Sequence, residues 1–202
     1  MRASVFMLRK ILALTTCLAL SGCIGGGNAS IPDTFTLAHN GEISTPGVRS
    51  RRQILITEPS ALKTLDSEQI LVRTSPSAVQ YLSKAQWNDR LPKVFQVKLA
   101  RAFENSGRLS GVGLPGEGLA IDYQVVTSLR SFEVVASSPR VAVAEVSVKI
   151  LNDRNGTVRA QKVFRQITNV VGNSNEAYVD SLNSASSQVI SDIVTWSLKY
   201  VR

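Results

Sequence analysis

One alternating stretch decides the fold of this chain: Arg140-Val-Ala-Val-Ala-Glu-Val-Ser-Val-Lys-Ile-Leu151, followed by the loop Asn152-Asp-Arg-Asn-Gly156. Successive side chains of a β-strand point to opposite faces. One face of this stretch is therefore apolar and consists of Ala142, Ala144, Val146, Val148 and Ile150. The other face carries Glu145, Ser147 and Lys149. Asn and Gly accept the positive φ that hairpin loops need, so the pattern predicts an antiparallel partner strand over residues 157–168.

More strands precede this hairpin. Residues 120–135 alternate in the same way and predict a third long strand. Two shorter β-branched runs, residues 53–57 and 69–73, are each followed within a few residues by proline and predict short strands. Residues 77–84 are ambiguous, and Gly111-Val-Gly-Leu-Pro-Gly116 is interpreted as a turn between strands. Long strands with one polar face are typical of an antiparallel meander that is solvated on one side.

Two amphipathic helices complete the pattern. Asn88 or Asp89 is the predicted N-cap of the first helix, Pro92 falls in its first turn, and Gly107 ends it. Its apolar residues run from Leu91 to Phe103, and we expect its charged residues mostly on the other face: Lys93, Lys98, Arg101 and Glu104.

The second helix is predicted to start at Asn173, which has capping-box spacing to Glu176. An apolar stripe follows, from Tyr178 to Tyr200. Its serine-rich opposite face is an exposed face or, alternatively, a partner contact. The predicted fold class is α+β: an antiparallel sheet with two amphipathic helices packed on one face, forming a single domain over residues 51–202.

Residues 1–22 have the pattern of a signal peptide. A basic start (Arg2, Arg9, Lys10) precedes the apolar run of residues 11–20, which is shorter than the roughly 20 residues that a membrane span needs. Leu20-Ser-Gly-Cys23 resembles a lipobox. We therefore expect cleavage between Gly22 and Cys23 and a diacylglycerol lipid anchor on Cys23, so that the chain is anchored to a membrane and does not span it. The alternative is an ordinary signal peptide with an incidental cysteine.

Residues 23–50 are predicted to be the lipidated cysteine and a flexible tether, because they are rich in Gly, Asn, Ser, Pro and Thr and lack apolar periodicity. The single histidine, His39, falls in this segment and is expected to be solvated. Cys17 leaves with the signal peptide, so the mature chain has one cysteine. Gly111 to Gly116 also lacks the Lys-Ser/Thr of a P-loop. We therefore predict no enzyme, no catalytic residue, no metal ligand and no cofactor.

The charge of the chain limits the classes of partner that it is expected to bind. The whole chain carries 23 basic and 15 acidic residues and a net charge of +8. Three of the basic residues belong to the signal peptide, which leaves 20 and a mature charge of about +5. Basic residues concentrate at Arg49, Arg51 and Arg52 and at Arg154, Arg159, Lys162 and Arg165. We interpret both clusters as solvated faces, with anionic headgroups or an acidic partner as the alternative. Nucleic acid is excluded as a partner of an exported, anchored protein.

Several segments resemble one protein family. They are Val79-Gln-Tyr-Leu-Ser-Lys-Ala-Gln-Trp-Asn-Asp-Arg-Leu-Pro92 with the helix that ends Phe103-Glu-Asn-Ser-Gly107, then Ile121-Asp-Tyr-Gln-Val-Val126, Ser131-Phe-Glu133, Leu151-Asn-Asp-Arg-Asn-Gly156 and Val163-Phe164. Together they are similar to the ABC-type transport auxiliary lipoprotein family, in which paraquat-inducible protein C is a member, over residues 33–200. Many members carry two aromatic residues where this chain has Tyr81-Leu82. This departure argues against an aromatic surface at this position.

The resemblance implies a periplasmic accessory subunit of an ABC system that moves lipids between the inner and outer membranes. Its implied partners are a permease, an ATPase and an Mce-type substrate-binding protein. Beyond the resemblance, we also consider phospholipid as a ligand and a homo-oligomer as an assembly. Ile24 follows the anchor cysteine, which by the enterobacterial sorting rule favours the outer membrane over the inner membrane.

Lipid handling in a groove between helix and sheet would draw on Trp87, Phe95, Phe103 and Trp196, for which we favour core packing. Two alternatives to transport remain at this point. One is a lipoprotein regulator of a peptidoglycan synthase or another envelope-assembly factor, and the other is an envelope hydrolase.

Overall fold

The three long strands form an antiparallel meander, as their alternation predicts. The computed structural model describes residues 31–38 and 47–202, and residues 32–202 form one compact unit. Its elements are β1 (Asp33–Phe35), β2 (Gln53–Ile56), β3 (Ser60–Ala61), β4 (Gln69–Ser75), β5 (Ala78–Trp87), α1 (Leu91–Asn105), β6 (Gly111–Gly113), β7 (Tyr123–Val135), β8 (Val141–Asn152), β9 (Val158–Asn169) and α2 (Asn175–Ser197). β8 pairs with β7 on one side and with β9 on the other, both antiparallel. Gly156 closes the hairpin loop with a φ of 68°.

The other edge of β7 is covered by three short strands. β2, β3 and β4 pair with successive parts of β7, and all three are parallel to it. β5 joins β4 antiparallel, and β1 joins β5 parallel. The α+β class is therefore confirmed, with a mixed sheet in which the long pairs are antiparallel and the short ones mostly parallel.

One face of this sheet carries the core. The five apolar residues of β8 named above are all 0% exposed. In the parallel register, Ile54 and Ile56 of β2 lie beside Tyr123 and Val125 of β7, so the apolar face continues across the strands. α2 packs against β8 and β9, and α1 packs against β2, β6 and α2. Full burial of each Val or Ile side chain stabilises the fold by about 1.5–3 kcal/mol.

Both helices begin differently from the prediction. Arg90 is the N-cap residue of α1 and makes no side-chain cap, while Asp89 accepts only from the backbone N–H of Arg90, at 2.7 Å. Ser174 is the N-cap of α2, and its Oγ accepts from the Ala177 N–H at 3.2 Å. The caps predicted at Asn88 or Asp89 and at Asn173 are therefore wrong. Pro92 does lie in the first turn of α1, and Gly107, with a φ of 62°, follows its C-cap.

Three further segments differ from the sequence-based expectation. The ambiguous residues 77–84 are mostly part of β5, and Gly111–Gly113 is a short strand that pairs with β2 and not a turn. Asp33–Phe35, inside the predicted tether, is a strand of the sheet. Local sequence patterns predict none of these strands, because their pairing depends on residues far away in the chain.

Candidate functional site beside the N-terminal segment

The N-terminal segment, residues 32–38, lies along the edge of the sheet and ends between the two helices. β1 pairs with the last residues of β5, from Asp33 with Ala85 to Phe35 with Trp87. The backbone N–H of Asn88 donates to the Phe35 carbonyl at 2.8 Å. Leu37 is buried. The segment is thus attached to the domain from residue 33 onward.

Side chains from both helices hold Ala38. The Ala38 N–H donates to Oδ1 of Asn183 in α2 at 3.0 Å, and Nζ of Lys98 in α1 donates to the Ala38 carbonyl. The two backbone polar groups of Ala38 are therefore both satisfied by side chains, in a place where an unpaired group would cost a desolvation penalty. The N-terminal segment consequently depends on the relative position of α1 and α2.

Lys98 is a buried cation without a carboxylate partner in the described part of the chain. The residue is 5% exposed, and its Nζ lies 3.3 Å from Ser186 Oγ and 3.4 Å from Ser187 Oγ. Burial lowers the pKa of Lys98 to about 8, since desolvation disfavours the ammonium form. At pH 7 the ammonium form still dominates, and only neutral oxygen atoms solvate it.

A polar cleft of about 280 Å³ opens beside Lys98. It lies between the N-terminal segment and α1, and its lining residues are Thr36, Leu37, Asn88, Asp89, Lys93, Val94, Val97, Lys98, Arg101 and Asn105. Three of these side chains are cationic and one is a carboxylate. The lining of this cleft is therefore suited to a negatively charged group.

The sequence contains a signal for Lys98 that the helix prediction missed. Lys98 is three residues from Phe95 and four from Val94, and it precedes Leu99, so helical spacing puts it on the apolar stripe of α1. The expectation that Lys98 lies on the polar face is therefore wrong. Asn183 and Ser186 occupy equivalent stripe positions in α2, where they are 7% and 0% exposed.

The serine-rich face of α2 is not entirely exposed. Ser181 is buried, and its Oγ donates to the Ala177 carbonyl at 2.8 Å and lies 3.4 Å from the Asn169 carbonyl oxygen. Ser187 lies beside Lys98. This part of the face is used within the domain.

Gly22 and Cys23 lie outside the described residues, and so does His39. Of the four aromatic residues considered for a lipid groove, Trp87, Phe95 and Phe103 are at most 1% exposed, which confirms core packing. Trp196 is half-buried against Phe164 and Tyr200, with ring centroids 5.5 and 5.1 Å apart.

The two basic clusters are exposed and partly ion-paired. Asp122 accepts from Arg52 at 3.0 Å and lies 3.7 Å from Arg154. Glu145 lies 3.3 Å from Arg165. Exposed pairs of this kind contribute about 0–1 kcal/mol each. The two carboxylates neutralise part of the positive charge of the seven basic residues in these clusters.

Two features are absent from the described residues. Residues 31–38 and 47–202 contain no group of three or more His, Cys, Asp or Glu side chains that could hold a metal ion. Within the same ranges, no helix has the length and hydropathy required to cross a membrane.

Comparison with known proteins identifies relatives along most of the chain. A family model described as "ABC-type transport auxiliary lipoprotein component" matches residues 35–194. An uncharacterized protein of Bradyrhizobium diazoefficiens is 23% identical over 183 residues, which cover 86% of this chain and 47% of that protein. The chain thus spans about half the length of the curated relative it matches.

Two solved structures share the fold. The crystal structure of protein XCC0632 from Xanthomonas campestris is 25% identical, with a TM-score of 0.76, and the match covers 83% of this chain and 95% of that one. A PelC dodecamer from Paraburkholderia phytofirmans is 11% identical, with a TM-score of 0.50, and the match covers 79% of this chain and 96% of that one. The second likeness concerns the fold alone.

Proposed function

We propose a function from one premise: this chain belongs to the family of ABC-type transport auxiliary lipoprotein components, whose model matches residues 35–194. In this proposal the chain is the membrane-anchored accessory subunit of an Mce-type ABC system that moves lipid between the inner and outer membranes. It docks the Mce-type substrate-binding protein to the membrane in which it is anchored. The family match carries the proposal, since it includes nearly all of the folded unit.

The anchor in this proposal is the lipid on Cys23, after cleavage behind Gly22. Nine residues, 24–32, separate that cysteine from β1. A fully extended chain spans at most about 3.3–3.6 Å per residue, so β1 begins within roughly 35 Å of the lipid-bearing residue. The diacyl chains hold this end more firmly than a single chain would.

This short connection specifies the kind of docking. The domain stays close to the bilayer, so the partner must reach the membrane surface for contact to form. Tethering raises the effective concentration of the domain for any partner that arrives there. Ile24 after the anchor cysteine favours the outer membrane in this proposal.

A homo-oligomer is a further part of the proposal. The PelC protein that shares this fold is a dodecamer. Several identical domains around one partner would multiply weak contacts into firm binding. Light scattering of the detergent-extracted chain after size-exclusion chromatography would give the number of copies.

The test of the transport function is a pull-down of the tagged full-length chain from detergent-extracted membranes, with mass spectrometry of the captured proteins. We expect an Mce-type protein with its permease and ATPase. Cys23→Ala should abolish anchoring and lose the complex. Cys17→Ala is the matched control, because it removes the other cysteine, inside the signal peptide, and should leave capture unchanged.

Recovery of a peptidoglycan synthase without any transporter component would contradict the transport function and favour the cell-wall regulator. Recovery of the transporter with Cys23→Ala as well as with the wild type would contradict the role of the anchor in docking.

A further inference from the structure

We propose that the cleft between the N-terminal segment and α1 binds a phosphate-bearing anion. A phospholipid headgroup and free phosphate share this chemistry. Only the choice of the headgroup as the natural source rests on the proposed function. The proposed site comprises the cations Lys93, Lys98 and Arg101, which all line the cleft.

The positive charge of Lys98 is not compensated by a carboxylate of any described residue. A buried ammonium costs several kcal/mol of desolvation unless a counter-charge or good hydrogen bonds offset it. Its oxygen neighbours within residues 31–38 and 47–202 are one carbonyl and two serine hydroxyls, and the hydroxyls are 3.3 and 3.4 Å away. All three are neutral, so an anion in the cleft would supply the missing negative charge.

Cations outnumber carboxylates among the side chains that line the cleft. Lys93 and Arg101 lie five residues before and three residues after the position of the buried lysine, and both face the same cleft. Asp89 is the single carboxylate among the lining residues. Lys93 makes only a long contact, 3.4 Å, to Gln96. Its ammonium and the Arg101 guanidinium are therefore available to a phosphate, for which Lys and Arg are the usual protein partners.

The cleft is small. Its volume of about 280 Å³ lies just below that of most ligand pockets, which are typically about 300–1,000 Å³. This space suits a phosphate with its immediate substituent and not a whole phospholipid. Acyl chains would remain outside the domain, in the bilayer or in a transport partner.

The cleft also lies close along the chain to the proposed lipid anchor on Cys23. Thr36 and Leu37 of the N-terminal segment form one wall of the cleft. In the proposed anchoring these residues follow Cys23 by only 13 and 14 positions. At about 3.3–3.6 Å per residue the cleft is restricted to within roughly 50 Å of the membrane anchor, close to lipid headgroups.

The test is a binding titration by calorimetry of the purified full-length protein in a zwitterionic detergent. The probes are inorganic phosphate, short-chain phosphatidylglycerol (dihexanoyl) and short-chain phosphatidylcholine. We expect saturable binding of phosphatidylglycerol that weakens at least about 10-fold in Lys98→Met, because a hydrogen bond to a charged group contributes about 1.5–3 kcal/mol. Lys93→Gln and Arg101→Gln, on partly exposed side chains, should each weaken binding about 2–5-fold.

Lys149→Gln and Arg159→Gln are the matched controls. Each removes one positive charge from an exposed position on the sheet, away from the cleft. Weakening by these controls equal to that by the cleft variants would overturn the proposal, since it would show general charge attraction. The absence of saturable binding of either phosphate probe would overturn it too.

The probes also distinguish the sources of the anion. Binding of phosphatidylglycerol with no binding of inorganic phosphate supports a headgroup site, and equal Lys98-dependent binding of both supports a site for free phosphate. Binding of phosphatidylcholine as tight as that of phosphatidylglycerol would contradict recognition of the anion. The titration needs no transporter, so its failure is distinguishable from failure of the pull-down.

Discussion

The β7–β8–β9 meander and the N-terminal segment are stabilised by different means. The meander is held by regular pairing along twelve or more residues of each long strand and by a continuous buried apolar face. The N-terminal segment is held by a three-residue strand and by polar contacts to Lys98 and Asn183, which are 60 and 145 residues away from Ala38. The stability of the meander therefore depends on its buried apolar face, whereas the N-terminal segment depends on a few polar contacts and on the protonation of one side chain.

The largest effect should come from a charge placed in the meander. Val148→Asp puts a carboxylate at a position that is 0% exposed in the hydrophobic core, opposite Thr127 of β7. We expect a loss of more than about 4 kcal/mol of unfolding free energy, because an unpaired charge is buried. Urea denaturation followed by circular dichroism measures the loss.

The neighbouring substitution Lys149→Asp is the control for Val148→Asp. It introduces the same carboxylate one residue later, at an exposed position of β8. It should change stability by less than about 0.5 kcal/mol. Equal destabilisation by both variants would show that the two positions do not differ in burial.

The next effect, in size, is a dependence of stability on pH at Lys98. Its pKa is lowered to about 8 by burial in the folded state, from an ordinary value of 10.5. Between these two values the unfolded chain binds more protons than the folded one, so stability rises with pH. The full rise is on the order of 3 kcal/mol.

Urea denaturation at pH 7.5 and pH 10 measures this rise for the wild type and for Lys98→Met. The other charged groups that line the cleft are Asp89, Lys93 and Arg101, and the contacts to Lys98 from α2 and the N-terminal segment are uncharged. The variant should lose the rise, because methionine has no proton to release, and the lost hydrogen bond to the Ala38 carbonyl should lower its stability equally at both pH values. An unchanged pH dependence in Lys98→Met would assign the effect to other groups.

A smaller effect should be confined to the N-terminal segment. Leu37→Ala removes a buried side chain that connects this segment to the domain. The amide of Ala38 should exchange its hydrogen faster, because the free energy of local opening falls by about 1–2 kcal/mol. Amides of the meander should keep their protection. Loss of protection in both regions would show that the segment and the meander unfold together.

The same contrast explains how much the sequence predicts. The meander, the hairpin loop and the lengths of both helices follow from local alternation and periodicity, and the structure confirms them. The parallel pairing of β2 with β7 joins residues about 70 positions apart, and no local pattern specifies its register.

The site was harder to predict than the fold. Lys98 occupies a stripe position in α1, but a lysine is so seldom buried that composition assigns it to the polar face. Its burial becomes apparent only when α2 supplies Ser186 and the N-terminal segment supplies the Ala38 carbonyl. A polar residue on an otherwise apolar helical stripe is the one signal in the sequence that indicates such a contact.

The smallest effect concerns the start of α2, the element that contacts both regions. Ser174→Ala removes the N-cap hydrogen bond to Ala177 and should cost about 1 kcal/mol. It should also raise the pKa of Glu176, which the hydrogen bond from Ser174 holds below its ordinary value. A carbon-detected NMR titration of the Glu176 carboxyl group measures the change in its pKa.

Asn173→Ala distinguishes the structural cap from the one that the sequence pattern predicted. Asn173 Oδ1 accepts from Arg140 at 2.5 Å and does not cap the helix. This variant should therefore leave the pKa of Glu176 unchanged and destabilise the protein less than Ser174→Ala does. Because α2 both covers β8 and β9 and holds Ala38 through Asn183, fraying confined to its first turn should leave both regions protected from exchange. Exposure of Ala38 in Ser174→Ala would show instead that the start of the helix controls the N-terminal segment.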